Sequence, residues 1–148
     1  MNKILAAISI VFAAGLLLAV PPSAYANNFA CTPGYWKNNT DTNGFDGLDG
    51  LNLRDEVFDI TGFDLGPDAN ITLAQAVALK GGGQNAVFRY AGAEVYNFYA
   101  FGLPDFPDNL FEDALERFAD GNISGAIERF EKLHNESICT IDAFGRSI

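Results

Sequence analysis

The chain has 148 residues, 19 of them acidic and 9 basic, and a formal net charge of −10. Such an acidic chain repels nucleic acids and anionic membrane surfaces, so neither is an expected partner. One histidine and two cysteines far apart in the sequence exclude a local zinc-binding motif.

The first 26 residues follow the pattern of a secretory signal peptide. Lys3 supplies the positive start, residues 4–20 form an unbroken apolar run, and an Ala-Tyr-Ala cleavage site ends at residue 26. The alternative is an uncleaved anchor, because 17 apolar residues are at the lower limit for a membrane span. We therefore predict a signal peptide over 1–26 and one domain over 27–148, secreted to the cell surface and without a membrane span after cleavage.

The two cysteines, Cys31 and Cys139, lie near the two ends of the predicted domain. An exported chain meets conditions in which disulfides persist, and an even cysteine count suits one bridge. We predict the disulfide Cys31–Cys139. The alternative is two buried free thiols.

Residues 27–50 are rich in Asn, Asp, Thr and Gly and have neither a helical nor a strand period, which predicts an ordered loop. Tyr35 and Trp36 are the side chains that can order it. Buried, they would anchor the chain beside the disulfide; exposed, they could stack on a sugar ring. The nearness of Cys31 favours the buried role.

Part of this loop has the spacing of a calcium-binding loop, with oxygen-bearing side chains at alternate positions and glycine at the sixth, Gly44. The twelfth position is Gly50, where a calcium loop has a bidentate glutamate, so the alternative is a solvated acidic turn. Calcium is the only cofactor that the sequence suggests. The candidate ligands are Asn39, Asp41, Asn43, Asp46 and Asp49.

Five helices are predicted after the loop, in residues 51–141, which also return the second cysteine to the first. Residues 142–148 are predicted to be a tail. The five helices cover 51–60, a segment from the capping box of Thr72 and Gln75 to Lys80, 85–101, a segment that begins after Asp105 or Asp108 and stops at Gly121, and 123–134.

The segment 85–101 is apolar almost all round, which indicates a central helix packed on several sides; its aromatic residues could instead line a ligand cavity. The glycine triplet before it, residues 81–83, follows a helix and has no Walker lysine, so it indicates a turn rather than a phosphate loop. The fold class is mainly α, a small single-domain bundle of about five helices with an ordered N-terminal loop, closed by one disulfide.

Four N-x-S/T sequons occur, which is more than the composition would give by chance. They indicate N-glycosylation, although Asn and Thr are also common in caps and turns. The sequon asparagines are Asn38, Asn70, Asn122 and Asn135.

No catalytic constellation is visible in the sequence. The single histidine, His134, falls at the end of a predicted helix, where its charge would suit the helix dipole. A pair of carboxylates like that of a glycosidase needs no local motif, so no acidic residue can be assigned such a role.

Three segments carry a resemblance to a known family: CTPGYWKNN at 31–39, ITLAQAVALKGGGQNAVFRYAGAEVYN at 71–97, and Asn-Glu-x-x-Cys at 135–139. Together they resemble a recurrent module of exported bacterial and archaeal proteins that opens with a CTPGYWKNH-like motif. The resemblance implies an extracellular helical domain and supplies no reaction. This chain has Asn39 and Tyr90 at two positions where the module usually has histidine.

The sequence therefore predicts an exported, non-catalytic structural or interaction module at the cell surface, with a surface or extracellular protein or a glycan as its partner. The alternative is a small calcium- or carbohydrate-binding domain. A third candidate is a secreted hydrolase that uses paired carboxylates.

Overall fold

A computed structural model describes residues 30–101, 109–137 and Cys139, apart from the side chains of residues 42 and 43. The predicted signal peptide, the predicted tail and the capping residues Asp105 and Asp108 lie outside the described residues.

The described chain forms six α-helices and two short 3₁₀ turns, and no β-strand occurs within it. The mainly helical, single-domain fold closed by Cys31 and Cys139 is therefore confirmed. The helices are α1 (Pro33–Asn43), α2 (Leu53–Thr61), α3 (Leu73–Ala78), α4 (Gln84–Phe101), α5 (Leu110–Ala119) and α6 (Ile123–Asn135).

Helix α4 is the centre of the bundle, and every other helix packs against it. Its residues from Ala91 to Asn97 are all buried, as expected for a helix that is apolar on every side. Gly92 permits the closest approach, because a Cβ atom added there would lie 3.0 Å from the Cβ of Ala76 in α3. Two charged or amide side chains of α4, Glu94 and Asn97, are buried among these apolar neighbours.

Helix α1 lies where the sequence predicts an ordered loop. Thr32 caps its start by accepting a hydrogen bond from the backbone N–H of Tyr35, Pro33 occupies the first turn, and Gly44 ends it with a positive φ of 75°. The segment has no apolar stripe of its own, because Trp36 and Thr40 are its main buried side chains beyond the first turn. The helix is stabilised by these few tertiary contacts rather than by its own periodicity.

Helices α3 and α6 begin with capping residues that the sequence contains. Thr72 and Gln75 form a complete capping box at the start of α3. The side chain of Asn122 caps α6 by accepting a hydrogen bond from the N–H of Gly125. Helices α5 and α6 pack closely on each other, with Phe111 of one against Phe130 of the other.

In the part of the chain that the structure describes, no helix has the length and hydropathy that a membrane crossing requires.

Candidate functional site: a basic cleft beside a buried clasp

Asn97 in α4 holds the start of the domain in place through three hydrogen bonds. Its Oδ1 accepts from the backbone N–H of Cys31 and from Nε1 of Trp36, both at 2.8 Å, and its Nδ2 donates to the Cys31 carbonyl at 3.2 Å. Asn97 is 1% exposed, so these bonds satisfy an amide that would otherwise be costly to bury. We call Cys31, Trp36 and Asn97 the clasp.

Trp36 lies in the core, at 0% exposure, and its ring stacks on Tyr96 with centroids 5.1 Å apart. Tyr35 and Phe45 approach it edge-on, each with centroids 5.3 Å away. The indole therefore presents no exposed face on which a sugar ring could stack. Tyr35 itself is half-buried at the rim of this aromatic group.

The disulfide adds a covalent closure to the clasp. Cys31 and Cys139 have Cα atoms 4.6 Å apart and lie 108 residues apart in the sequence. The bridge ties Cys31, two residues before α1, to the segment that follows α6.

Replacing Asn97 with alanine should leave the Cys31 N–H and the Trp36 indole N–H buried without acceptors. Each such donor costs about 1–3 kcal/mol, so we expect Asn97→Ala to lower the free energy of unfolding by roughly 2–6 kcal/mol. Urea denaturation followed by Trp36 fluorescence measures the change. Asn38→Ala, which removes an exposed asparagine of α1, is the matched control and should cost under about 0.5 kcal/mol; equal losses in the two variants would contradict the role of Asn97.

A cleft of about 530 Å³ opens beside the clasp, between the first turns of α1, the end of α3, the first half of α4 and the last turn of α6. Apolar side chains form much of its wall, among them Pro33, Val77, Leu79 and Tyr90. The charged residues that line it are Lys37, Lys80, Arg89 and Glu131, and His134 also contributes to the lining. We call it the basic cleft.

The charge of the basic cleft is opposite to that of the whole protein. Among the described residues, three bases line it against one carboxylate, Glu131, whereas the whole chain carries −10. Among the described residues, neither Lys37 nor Lys80 has a carboxylate within ion-pair distance. Both ammonium groups therefore remain available to an anionic ligand.

Arg89 has a structural role as well as a place in the lining. Its Nη1 donates to the carbonyls of Leu79 at 2.9 Å and of Gly81 at 3.0 Å, which are acceptors left open where α3 ends. Gly81 itself has a φ of 87°, a conformation that favours glycine. The glycine triplet thus serves as a turn that positions Lys80 and Arg89 on the same cleft.

His134 and Glu94 form a buried pair next to the basic cleft. Glu94 is fully buried and the His134 side chain is 6% exposed, with Nε2 2.9 Å from Glu94 Oε1. The two atoms are at ion-pair distance but outside hydrogen-bond geometry, and His134 Nδ1 has no hydrogen-bond partner among the described residues. The ring of Tyr90 packs against the imidazole, with centroids 5.3 Å apart. His134 therefore does more than place a charge at the end of α6, the role that the sequence suggests.

The candidate calcium ligands do not lie on one loop. Asn39, Asp41 and Asn43 belong to helix α1. Asp49 is engaged elsewhere, because its carboxylate accepts hydrogen bonds from the hydroxyls of Thr40 and Tyr96. Burial, and then the bond to Asp49, raises the pKa of Tyr96.

The fifth candidate, Asp46, is exposed on a 3₁₀ turn. Over the described residues, no group of three or more His, Cys, Asp or Glu side chains is arranged to hold a metal ion.

The four sequon asparagines are all exposed. Asn122 caps α6, and Asn70 accepts a hydrogen bond from Asn52, so local structural roles coexist with the glycosylation signal. Asn38 lies on α1 and donates to the Gly34 carbonyl. Of the four sequon asparagines, Asn135 is the one that lines the basic cleft in the described structure. A glycan attached to Asn135 would therefore lie at the cleft.

A second charged group lies outside the basic cleft, where Arg54 and Asp64 form a two-point ion pair with both N···O distances at 2.6 Å. The hydrogen bonds from Arg54, followed by one from the Gly66 N–H, lower the pKa of Asp64 to about 2. The pair is exposed, so water screens its contribution to stability.

We expect Arg54→Met to return the pKa of Asp64 toward its ordinary value of 3.8. Because the folded pKa lies below the unfolded one, the stabilisation by this pair is present above that ordinary value and is lost as the pH falls through about 2. An NMR titration of the Asp64 carboxyl carbon measures the shift. Arg117→Met, which removes a partner of Asp113 instead, is the control; an unchanged Asp64 titration in Arg54→Met would contradict the assigned cause.

Comparisons with models of protein families, with curated proteins and with solved structures find no match for this chain.

Sequence reasoning did not identify the basic cleft, although one signal was present. Each of the three segments that resemble the exported module contributes to its lining: Lys37 comes from the first, Lys80 and Arg89 from the second, and Asn135 from the third. Tyr90, where the module usually has histidine, also lies there. Motif segments that are far apart in sequence thus meet at one place.

Proposed function

We propose that this protein is an exported, non-catalytic interaction module of the cell surface, related to the CTPGYWKNH-like modules, and that it binds its partner through the basic cleft. The observation that carries the proposal is the convergence of Lys37, Lys80 and Arg89, from two separate segments of a strongly acidic chain, on one cleft. A surface that reverses the overall charge of its protein attracts anionic partners and orients them.

The signal-peptide pattern and the disulfide support a location outside the cytoplasm, where such bridges persist. Binding is favoured over hydrolysis because a paired-carboxylate mechanism needs two acidic groups across one site. Within the described part of the chain, the lining of the basic cleft includes one carboxylate, Glu131. The partner is an extracellular or surface component, either a protein or a glycan, that presents negative charge.

The test is retention on the cell envelope. Native cells are fractionated, and the secreted protein is then added back to washed envelopes as wild type and as Lys37→Gln/Lys80→Gln. We expect the wild type to be retained and the double variant to be released at lower salt, because two charge-assisted contacts are lost.

Lys132→Gln is the matched control, since Lys132 lies on the exposed side of α6, where it pairs with Glu136 at 3.9 Å. It should bind envelopes like the wild type. Recovery of the wild type as a free monomer in the medium, with no retention on envelopes, would overturn the proposal.

A further inference from the structure

We infer that the basic cleft is a binding site for an organic carboxylate, held by Lys37 and Lys80 over the buried His134. The inference names the ligand class of the cleft in the proposed function and rests on that assignment of the site.

The first step is charge. Apart from His134, the described side chains that line the cleft carry three positive charges and one negative charge. Lys37 and Lys80 come from α1 and from the turn after α3, and both lack carboxylate partners in the described chain. An anion that reaches the cleft can therefore be contacted from two sides without displacing an existing ion pair.

The second step is one backbone donor. Helix α1 begins in the wall of the cleft, where Thr32, Pro33 and Gly34 line it. Pro33 has no N–H and the N–H of Tyr35 already donates to the Thr32 side chain, so the first turn leaves the N–H of Gly34 without an acceptor among the described residues. The positive end of the helix dipole lies at the same place.

The third step is a buried polar pair behind the lining. His134 lines the cleft and its side chain is 6% exposed. Both of its ring nitrogens and both carboxylate oxygens of Glu94 are buried and lack hydrogen-bond geometry among the described residues. Buried polar atoms are nearly always hydrogen-bonded, so a ligand or water that reached this pair would satisfy atoms that now have no hydrogen-bond partner.

The fourth step separates a carboxylate from an inorganic anion. The volume of about 530 Å³ falls in the range of small-molecule sites and is much larger than a phosphate ion needs. Pro33, Val77, Leu79 and Tyr90 offer apolar surface to the body of an organic ligand.

The carboxylate could belong to either of two kinds of ligand: a free small acid, or the uronic acid units of an acidic polysaccharide. The test titrates the full secreted protein with benzoate, galacturonate and oligogalacturonate, followed by NMR shifts and calorimetry. Benzamide and galactose are the neutral controls, and inorganic phosphate tests the alternative anion. Tighter binding of benzoate would identify a free acid, and tighter binding of oligogalacturonate a polymer.

We expect at least one carboxylate to shift the resonances of Lys37, Lys80 and His134, and its neutral analogue to have no effect. Lys37→Gln/Lys80→Gln should weaken binding about tenfold or more, since two charge-assisted contacts are removed. Lys132→Gln should bind like the wild type. The folded state of each variant is checked by its unfolding midpoint before titration.

Absence of binding by every carboxylate at millimolar concentration would overturn the inference. So would binding of phosphate as tight as that of the carboxylates, or equal binding of benzamide or galactose. Envelope retention that persists while every carboxylate fails would overturn only this ligand class. Carboxylate binding without envelope retention would uphold the ligand class and overturn the proposed function.

Discussion

Removing the disulfide with the double variant Cys31→Ala/Cys139→Ala is expected to lower the free energy of unfolding by roughly 4–5 kcal/mol. The bridge closes a loop of 108 residues, which restricts the unfolded chain more than a short loop would. Urea denaturation at neutral pH, followed by circular dichroism, measures the loss. Both cysteines are replaced together so that no single thiol is left to form intermolecular bridges.

Wild-type protein treated with a reductant gives an independent measure of the same loss, and the two values should agree. The clasp hydrogen bonds from Asn97 remain in the double variant, so the helical fold should persist at low urea. A loss below about 1 kcal/mol would mean that the bridge adds little to the stability that the clasp hydrogen bonds already provide. That result would contradict the chain-entropy estimate.

Breaking the buried pair by either His134→Leu or Glu94→Leu is expected to cost roughly 3–5 kcal/mol, because each change leaves the other group buried without its partner. The double variant, which removes both polar groups, should be less destabilised than the sum of the two single variants. Replacement of a buried pair by apolar residues of similar volume is often close to neutral.

A double-mutant cycle of urea unfolding at pH 7 measures this coupling, and Glu131→Gln, an exposed residue of the same helix and cleft, is the control. We expect the two single losses to overlap by 1 kcal/mol or more in the cycle. Strict additivity would show that His134 and Glu94 do not act as a pair.

The periodic part of the fold was predictable from sequence, and the unpatterned part was not. Helices α2 to α6 carry apolar stripes or capping signals such as Thr72 with Gln75, which are read from neighbouring residues. Helix α1 carries neither a stripe nor a run of good helix formers. Its existence depends on Trp36 reaching Tyr96 and Asn97, residues about sixty positions away, which no local window contains.

The candidate site also has parts that could be predicted from the sequence and parts that could not. The disulfide partners could be predicted because two cysteines allow one pairing. The basic cleft could not, because Lys37, Lys80 and Arg89 read as ordinary surface residues until packing brings them together. In the sequence, Glu94 is a charged residue that argues against a membrane span. Its burial next to His134 depends on the packing of α6 against α4, which the sequence does not show.

The calcium hypothesis depends on the backbone conformation of the same segment. The alternation of oxygen-bearing residues over 39–44 matches a calcium loop only where the backbone is a loop. Residues 33–43 form helix α1, so the spacing alone does not indicate a loop there.

The clasp also has a consequence for the order in which the domain folds. The acceptor for the Trp36 indole and the Cys31 backbone lies 61 and 66 residues further along the chain, whereas α5 and α6 contact each other across a short turn. Distant contacts carry a larger loop-closure cost, so we expect the α5–α6 hairpin to form early and α1 to dock late, onto an α4 that is already in place. The single tryptophan therefore lies at the contact that is expected to form last, between α1 and α4. Its fluorescence should report the completion of folding rather than its start.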